Sequence, residues 1–142
     1  MEKIKVLFIC IHNSARSQMA EAFLNKLGND KFVAESAGIE PGVLNQRVVK
    51  VMLDLGYDIS NNKTKSVFDI HASGKSYDYV VTVCDPEAAE KCPVFPGKVK
   101  REHWGFRDPS SAKGSEEEIL ELTRVVRDEI KSKVEEFIRN IS

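Results

Sequence analysis

The first change of hydrophobic pattern along the chain lies around Cys10. Residues 4–9 are almost continuously apolar, which predicts a strand buried on both faces, as in a parallel sheet. From Ser17 to Leu27 the apolar side chains recur at helical spacing, and Gly28 is a residue at which such a helix ends. The pattern therefore predicts a strand, a short loop that begins at Cys10, and a helix.

Three further segments have the pattern of strands. They are residues 31–37, residues 77–84, which are β-branched or aromatic on both faces, and residues 98–104, whose charges suit an edge strand. The third predicted strand, like the first, ends at a cysteine, Cys84.

Helical patterns separate these strands. The first of them begins at the N-cap Asn45, carries Leu55 on its apolar face and ends at Gly56. Shorter helices are predicted over residues 66–72 and 85–91.

A long final helix is predicted from the capping box formed by Ser115 and Glu118. One apolar stripe runs along it to the end of the chain; its members are Ile119, Leu122, Val126, Ile130, Val134, Phe137 and Ile141. Such a stripe is more often a core-facing surface than the seam of a coiled coil.

The alternation of strands and helices predicts an α/β fold. We expect a single domain over residues 1–142, with a four-stranded, mostly parallel sheet, right-handed crossovers and helices on both faces. The length of 142 residues suits one domain with a core of its own.

Composition and charge narrow the class of protein. A hydrophobic content of 42% with 30% charged residues is ordinary for a soluble globular protein, and a net charge of −1 gives no reason to expect a nucleic-acid partner. The amino-terminal apolar run is too short for a signal peptide or a membrane span. We therefore expect a cytoplasmic monomer without a membrane partner.

The loop from Cys10 to Ser17 has the residues of an oxyanion site. Its N–H groups can converge on an anion, the helix N-terminus adds partial positive charge, and Arg16 offers a planar fork of donors. The same field favours the nucleophilic thiolate form of Cys10. Asn13 suits a left-handed backbone conformation, and Ser17 is expected both to hydrogen-bond the sulfur and to cap the helix. The predicted oxyanion-binding residues are Cys10, Ile11, His12, Asn13, Ser14, Ala15, Arg16 and Ser17.

Two further cysteines leave two interpretations open. An odd total of three cysteines is a poor match to a framework of structural disulfides. Cys84 and Cys92 lack the spacings of zinc ribbons and of thioredoxin-type enzymes, and only His103 could join them as a metal ligand, so we predict no metal site. They are either a small strand residue and a loop thiol, or members of a thiol relay with Cys10.

Asp108 is a candidate general acid. It lies in the loop after the last predicted strand, from which it can reach the edge of the sheet where Cys10 lies. The alternative is that Asp108 and Pro109 simply begin a turn.

Taken together, these residues resemble a known family. Cys-x5-Arg-Ser in the first strand–loop–helix is the signature of the low-molecular-weight protein tyrosine phosphatase superfamily, and residues 13–21 resemble its thioredoxin-coupled arsenate reductase branch. The resemblance extends over almost the whole chain, with matches at Cys10, Asn13, Arg16, Ser17, Cys84, Cys92 and Asp108.

The resemblance implies reduction of arsenate to arsenite without a bound cofactor. It implies that the Cys10 thiolate attacks arsenic, that Arg16 stabilises the charge and that Asp108 protonates the departing oxygen. Cys84 would then attack Cys10, and Cys92 would attack Cys84, leaving a Cys84–Cys92 disulfide for thioredoxin, the external reductant.

Two alternatives remain at this point. A phosphatase of the same fold would form a phosphocysteine at Cys10, but such enzymes usually have aromatic residues after the Asp-Pro pair, where this chain has Ser110 and Ser111. A weak phosphatase side activity is expected even from a reductase. The other alternative is a thiol redox sensor or anion-binding regulator.

The resemblance also raises the question of a potassium-binding site. Some relatives bind this cation through residues that match Asn13, Glu21 and Ser36 together with an aspartate. Ser66 stands at the place of that aspartate, so no cation site is predicted.

Overall fold

The computed structural model describes residues 2–83 and 99–141. In chain order the elements are β1 (Ile4–Cys10), α1 (Arg16–Leu27), β2 (Phe32–Gly38), α2 (Gln46–Leu53), α3 (Val67–Ala72), β3 (Tyr79–Thr82), β4 (Lys100–His103), a 3₁₀ turn (Pro109–Ser111) and α4 (Glu116–Ile141). The predicted helix over residues 85–91, Cys84 and Cys92 lie outside the described residues.

The four strands form one parallel sheet in the order β2-β1-β3-β4. The predicted α/β class and parallel sheet are therefore confirmed. Cys10 of β1 is paired with Gly38 of β2, and Ile9 with Thr82 of β3, so these strands end at the same edge of the sheet. The largely exposed β4 is an edge strand, as its charges predicted.

The larger core lies between the sheet and helices α1, α2 and α4. The ring of Phe137 lies at its centre, with centroid distances of 5.6 Å to Phe32, 5.1 Å to Tyr79 and 5.5 Å to Trp104. Because α4 packs against α1 and α2, its apolar stripe is a core surface rather than a coiled-coil seam. The smaller core on the opposite face of the sheet is closed by α3, through Val67 and Ile70.

Several helix termini follow the sequence signals, and the end of α2 does not. Asn45 caps α2 as predicted, and Ser115 and Glu118 exchange the two hydrogen bonds of a capping box. Ser66, predicted only to lie in a short helix, is the N-cap of α3. The prediction that α2 continues to Gly56 is wrong, because the helix ends at Leu53 and Gly56 takes φ +87° in the turn beyond it.

The start of β3 and the buried face of α4 also differ from the predictions. β3 begins at Tyr79 rather than at residue 77: before it, the Lys5 N–H donates to the carboxylate of Asp78 at 2.8 Å rather than to a backbone carbonyl group. On α4 the buried face begins with Leu120 and Thr123, whereas Ile119, Leu122 and Ile141 are only half-buried.

In the described ranges, no helix has the length and hydrophobicity that a membrane span requires.

Candidate active site

The sulfur of Cys10 lies at the carboxyl end of β1, buried in the loop that leads to α1. The backbone N–H of Asn13 donates to Sγ at 3.1 Å, and Ser17 Oγ lies 2.8 Å from Sγ. Asn13 Nδ2 donates to the same Ser17 oxygen at 2.7 Å, which leaves the hydroxyl proton of Ser17 available to the sulfur. The sulfur therefore has two hydrogen-bonding neighbours in the loop.

The backbone of this loop agrees with the sequence in one respect and not in another. Asn13 takes φ +55°, which confirms the predicted left-handed conformation. The prediction that Ser17 caps α1 is wrong: the N-cap is Ala15, which makes no side-chain cap bond. Ser17 lies inside the first turn, where its hydroxyl is taken by Cys10 and Asn13.

Behind the loop lies a polar network that sequence reasoning missed. The amide oxygen of Asn13 accepts from Gln18 Nε2 at 3.2 Å and from the Lys65 N–H at 3.0 Å. Gln18 is fully buried, and its own amide oxygen accepts from Asn62 at 3.1 Å. A glutamine beside the apolar positions of a predicted helix is a signal that could have indicated such a network.

Gly38 supports the loop from β2. A Cβ at this position would lie within 2.9 Å of the backbone of residues 11–13, so only glycine allows this approach. The N–H groups of Ile39, Glu40 and Gly42 donate to the carbonyl oxygens of residues 10, 11 and 12 at 3.1, 2.8 and 3.0 Å, respectively. His12 adds a bond from Nδ1 to the Glu40 carbonyl oxygen, 2.8 Å away.

Arg16 and Asp108 come together at the mouth of the loop. Arg16 is almost fully buried, and its guanidinium donates to the Phe106 carbonyl oxygen at 3.1 Å. Its other terminal nitrogen lies 3.8 Å from Asp108 Oδ2. Asp108 Oδ1 accepts the Ser110 N–H at 2.9 Å, so this aspartate both begins a turn and lies near Arg16. Its role as general acid stays a prediction.

Glu21 forms a second charged group beneath the site. Its carboxylate accepts a hydrogen bond from the Ser36 hydroxyl at 2.7 Å, and the Lys65 ammonium lies 3.9 Å away. Ser66 does not join them, since its hydroxyl caps α3. Among the described residues, no three His, Cys, Asp or Glu side chains are grouped so as to hold a metal ion.

Burial raises the pKa of Glu21 above its ordinary value of 4.5, although Ser36 and Lys65 act in the opposite direction. A carboxyl whose folded pKa is raised contributes stability below its unfolded pKa, and this contribution is lost as the pH rises through the folded pKa. We therefore expect the free energy of unfolding of the wild type to fall relative to that of Glu21→Gln as the pH rises above about 4.5.

Urea unfolding of the two proteins across this pH range measures the effect. The variant Glu2→Gln, which changes an exposed carboxylate, is the control and should follow the wild type. Parallel curves for the wild type and Glu21→Gln would contradict the prediction.

Comparisons with known proteins match almost the whole chain. The profile of the family described as low molecular weight phosphotyrosine protein phosphatase matches residues 5–142. The arsenate reductase of Bacillus subtilis (strain 168) is 46% identical over 96% of both chains, and that of Shouchella clausii is 44% identical over the same shares.

Solved structures agree. An arsenate reductase in its oxidized state superposes with a TM-score of 0.80 at 32% identity, over 97% of this chain and 98% of the other. A thioredoxin-dependent arsenate reductase of Corynebacterium glutamicum gives 0.63 at 27% identity, over 95% of this chain and 63% of the other. A low molecular weight protein tyrosine phosphatase from T. tengcongensis gives 0.77 at 22% identity, over 97% and 99%, which is a likeness of fold.

Proposed function

Because the chain belongs to the low molecular weight phosphotyrosine protein phosphatase family, we propose that its Cys10 loop binds arsenate and that the protein reduces arsenate to arsenite with electrons from thioredoxin. One observation carries this proposal. The hydrogen-bonded Cys10 sulfur heads an anion loop in a chain that is 46% identical to an arsenate reductase over 96% of its length. No bound cofactor is required, since the electrons come from thiols.

The first step forms a bond between Cys10 and arsenic. The thiolate attacks arsenate held by the loop N–H groups and Arg16, which stabilise the negative charge that develops on the oxygens. One arsenic–oxygen bond breaks, and Asp108 protonates the departing oxygen, which leaves as water. The 3.8 Å separation of Arg16 and Asp108 supports this assignment, because a carboxyl so close to the guanidinium is also close to the anion that Arg16 is proposed to hold.

The second step is the reduction. The Cys84 thiolate attacks the Cys10 sulfur, and the electron pair of the sulfur–arsenic bond passes to arsenic, which leaves as arsenite. Cys92 then attacks Cys84, so that the Cys10 thiolate is released and a Cys84–Cys92 disulfide forms. Thioredoxin reduces this disulfide. We propose a monomer in the cytoplasm, where such a disulfide is catalytic rather than structural.

The shared anion loop also supports a weaker phosphatase activity. In that reaction Cys10 would form a phosphocysteine that water hydrolyses. Two serines, Ser110 and Ser111, follow Pro109, and the Ser110 hydroxyl accepts a hydrogen bond from Asn45. These two positions therefore carry no aromatic side chains that could hold the ring of a substrate. We therefore propose hydrolysis of aryl phosphates only as a side activity.

The test is NADPH consumption that depends on arsenate, in the presence of thioredoxin and its reductase. We expect turnover that requires all three components, because thioredoxin is the only electron donor to the relay. Steady hydrolysis of an aryl phosphate without arsenate reduction would instead establish a phosphatase. Reversible thiol oxidation with neither activity would establish a redox sensor.

A further inference from the structure

Asn45 makes hydrogen bonds to two separate parts of the site. Its backbone N–H donates to the carbonyl oxygen of Ser14 in the anion loop at 2.9 Å. Its side-chain oxygen caps α2, accepting from the N–H groups of Arg47 and Val48 at 2.9 and 3.1 Å. Its side-chain amide Nδ2 donates to Ser110 Oγ at 2.8 Å. Asn45 therefore joins the anion loop to the turn that contains Asp108.

Ser110 passes this connection on to the candidate acid. Its backbone N–H donates to Asp108 Oδ1 at 2.9 Å, and Asp108 Oδ2 is the oxygen that lies 3.8 Å from Arg16. Ser111 fixes the same turn by donating its hydroxyl to the Asp108 carbonyl oxygen at 3.0 Å. Ser110 thus orients the carboxylate of Asp108, and the side chain of Ser110 is in turn hydrogen-bonded to Asn45.

A second connection between these parts runs through Arg16, but substrate competes for it. The guanidinium donates to Phe106 O and lies near Asp108. An oxyanion in the loop is a stronger partner for a guanidinium than a neutral carbonyl group is. Binding of substrate therefore weakens the Arg16 connection at the moment when Asp108 must be in place. The Asn45–Ser110 bond involves no group that binds the anion.

We propose that Asn45 and Ser110 are positioning residues that hold Asp108 at the distance from the anion loop at which it transfers its proton. This inference rests on the proposed function, in which Asp108 is the general acid. Proton transfer requires the two heavy atoms to lie within hydrogen-bond reach, so a small displacement of the carboxyl lowers the rate of the first chemical step. It leaves the loop that binds the anion unchanged.

The test is Ser110→Ala, measured as kcat/KM for arsenate and as the inhibition constant of inorganic phosphate. We expect kcat/KM to fall about fivefold and the phosphate constant to stay unchanged, because only the position of the acid is altered. Asn45→Ser keeps a capping residue on α2 but is too short to reach Ser110, and it should have the same effect. Ser110→Thr retains the hydroxyl and should restore the wild-type rate.

The decisive comparison is made in the variant Asp108→Asn, which has no acid to position. There, Ser110→Ala should cause no further loss. Arg47→Gln is the matched control, because it removes the contacts of 2.7 and 3.2 Å between Arg47 and Glu116 without touching the turn of Asp108. It should leave kcat/KM unchanged.

Each other outcome has a distinct meaning. A wild-type rate for Ser110→Ala, an equal loss in Asp108→Asn, or weaker phosphate inhibition would overturn the inference while the proposed function stands. A wild-type protein without arsenate turnover would overturn the proposed function, and this inference with it.

Discussion

Cys10→Ser is expected to lower arsenate reduction at least about ten-thousandfold, since removal of the nucleophile costs this much or more in enzymes that form a covalent intermediate. The proposed nucleophile is a thiol whose sulfur lies at the carboxyl end of β1, with the Asn13 N–H and the Ser17 hydroxyl within hydrogen-bond distance. A serine hydroxyl is far less acidic, and no base is hydrogen-bonded to Sγ among the described residues to deprotonate it.

Anion binding is the control for Cys10→Ser. The loop N–H groups and Arg16 remain, so we expect inorganic phosphate to raise the melting temperatures of the variant and of the wild type alike. The measurement is arsenite formed per enzyme, together with thermal unfolding with and without phosphate. Arsenite production near the wild-type rate would mean that another group attacks arsenic.

Cys92→Ser is expected to produce about one arsenite per enzyme molecule and then stop. In this variant Cys84 still attacks Cys10 and releases arsenite, but the Cys10–Cys84 disulfide has no further thiol to resolve it. Cys10 is only 3% exposed, so an external thiol such as that of thioredoxin has poor access to its sulfur.

Rapid-quench measurement of arsenite, with thioredoxin and its reductase present, gives the stoichiometry. Cys84→Ser is the matched variant: it retains Cys10 and Cys92 but lacks the thiol that cleaves the sulfur–arsenic bond, so it should release far less arsenite in the first turnover. Sustained turnover by Cys92→Ser would contradict the relay and leave Cys84 and Cys92 without the roles proposed for them.

Local sequence signals predicted much of the framework around these residues. The change from a continuous apolar run to helical spacing located β1, α1 and the loop between them, because burial on two faces and burial on one helical face leave different periods. The left-handed conformation of Asn13, the capping box at Ser115 and the N-cap of α2 were predicted because each depends on residues only a few positions apart.

Signals of the same kind failed where tertiary contacts compete for a side chain. Ser17 stands where a helix cap is common, but Cys10 and Asn13 take its hydroxyl, and the helix begins without a side-chain cap. Asp108 had two interpretations in the sequence, and the structure combines them: one carboxylate oxygen begins a turn while the other lies near Arg16.

Periodicity and short motifs therefore determined the order of the described elements, the parallel sheet and the position of the loop between β1 and α1, since each depends on residues close together in the chain. The support of that loop was decided only by the fold. Gly38 packs against it, Gln18 is hydrogen-bonded to Asn62, and Asn45 is hydrogen-bonded to Ser110. The partners are far apart in the sequence, so these contacts produce no periodic pattern along the chain. These contacts exist because parallel crossovers bring distant loops to one edge of the sheet, and hydrogen bonds between such loops have no local spacing from which to predict them.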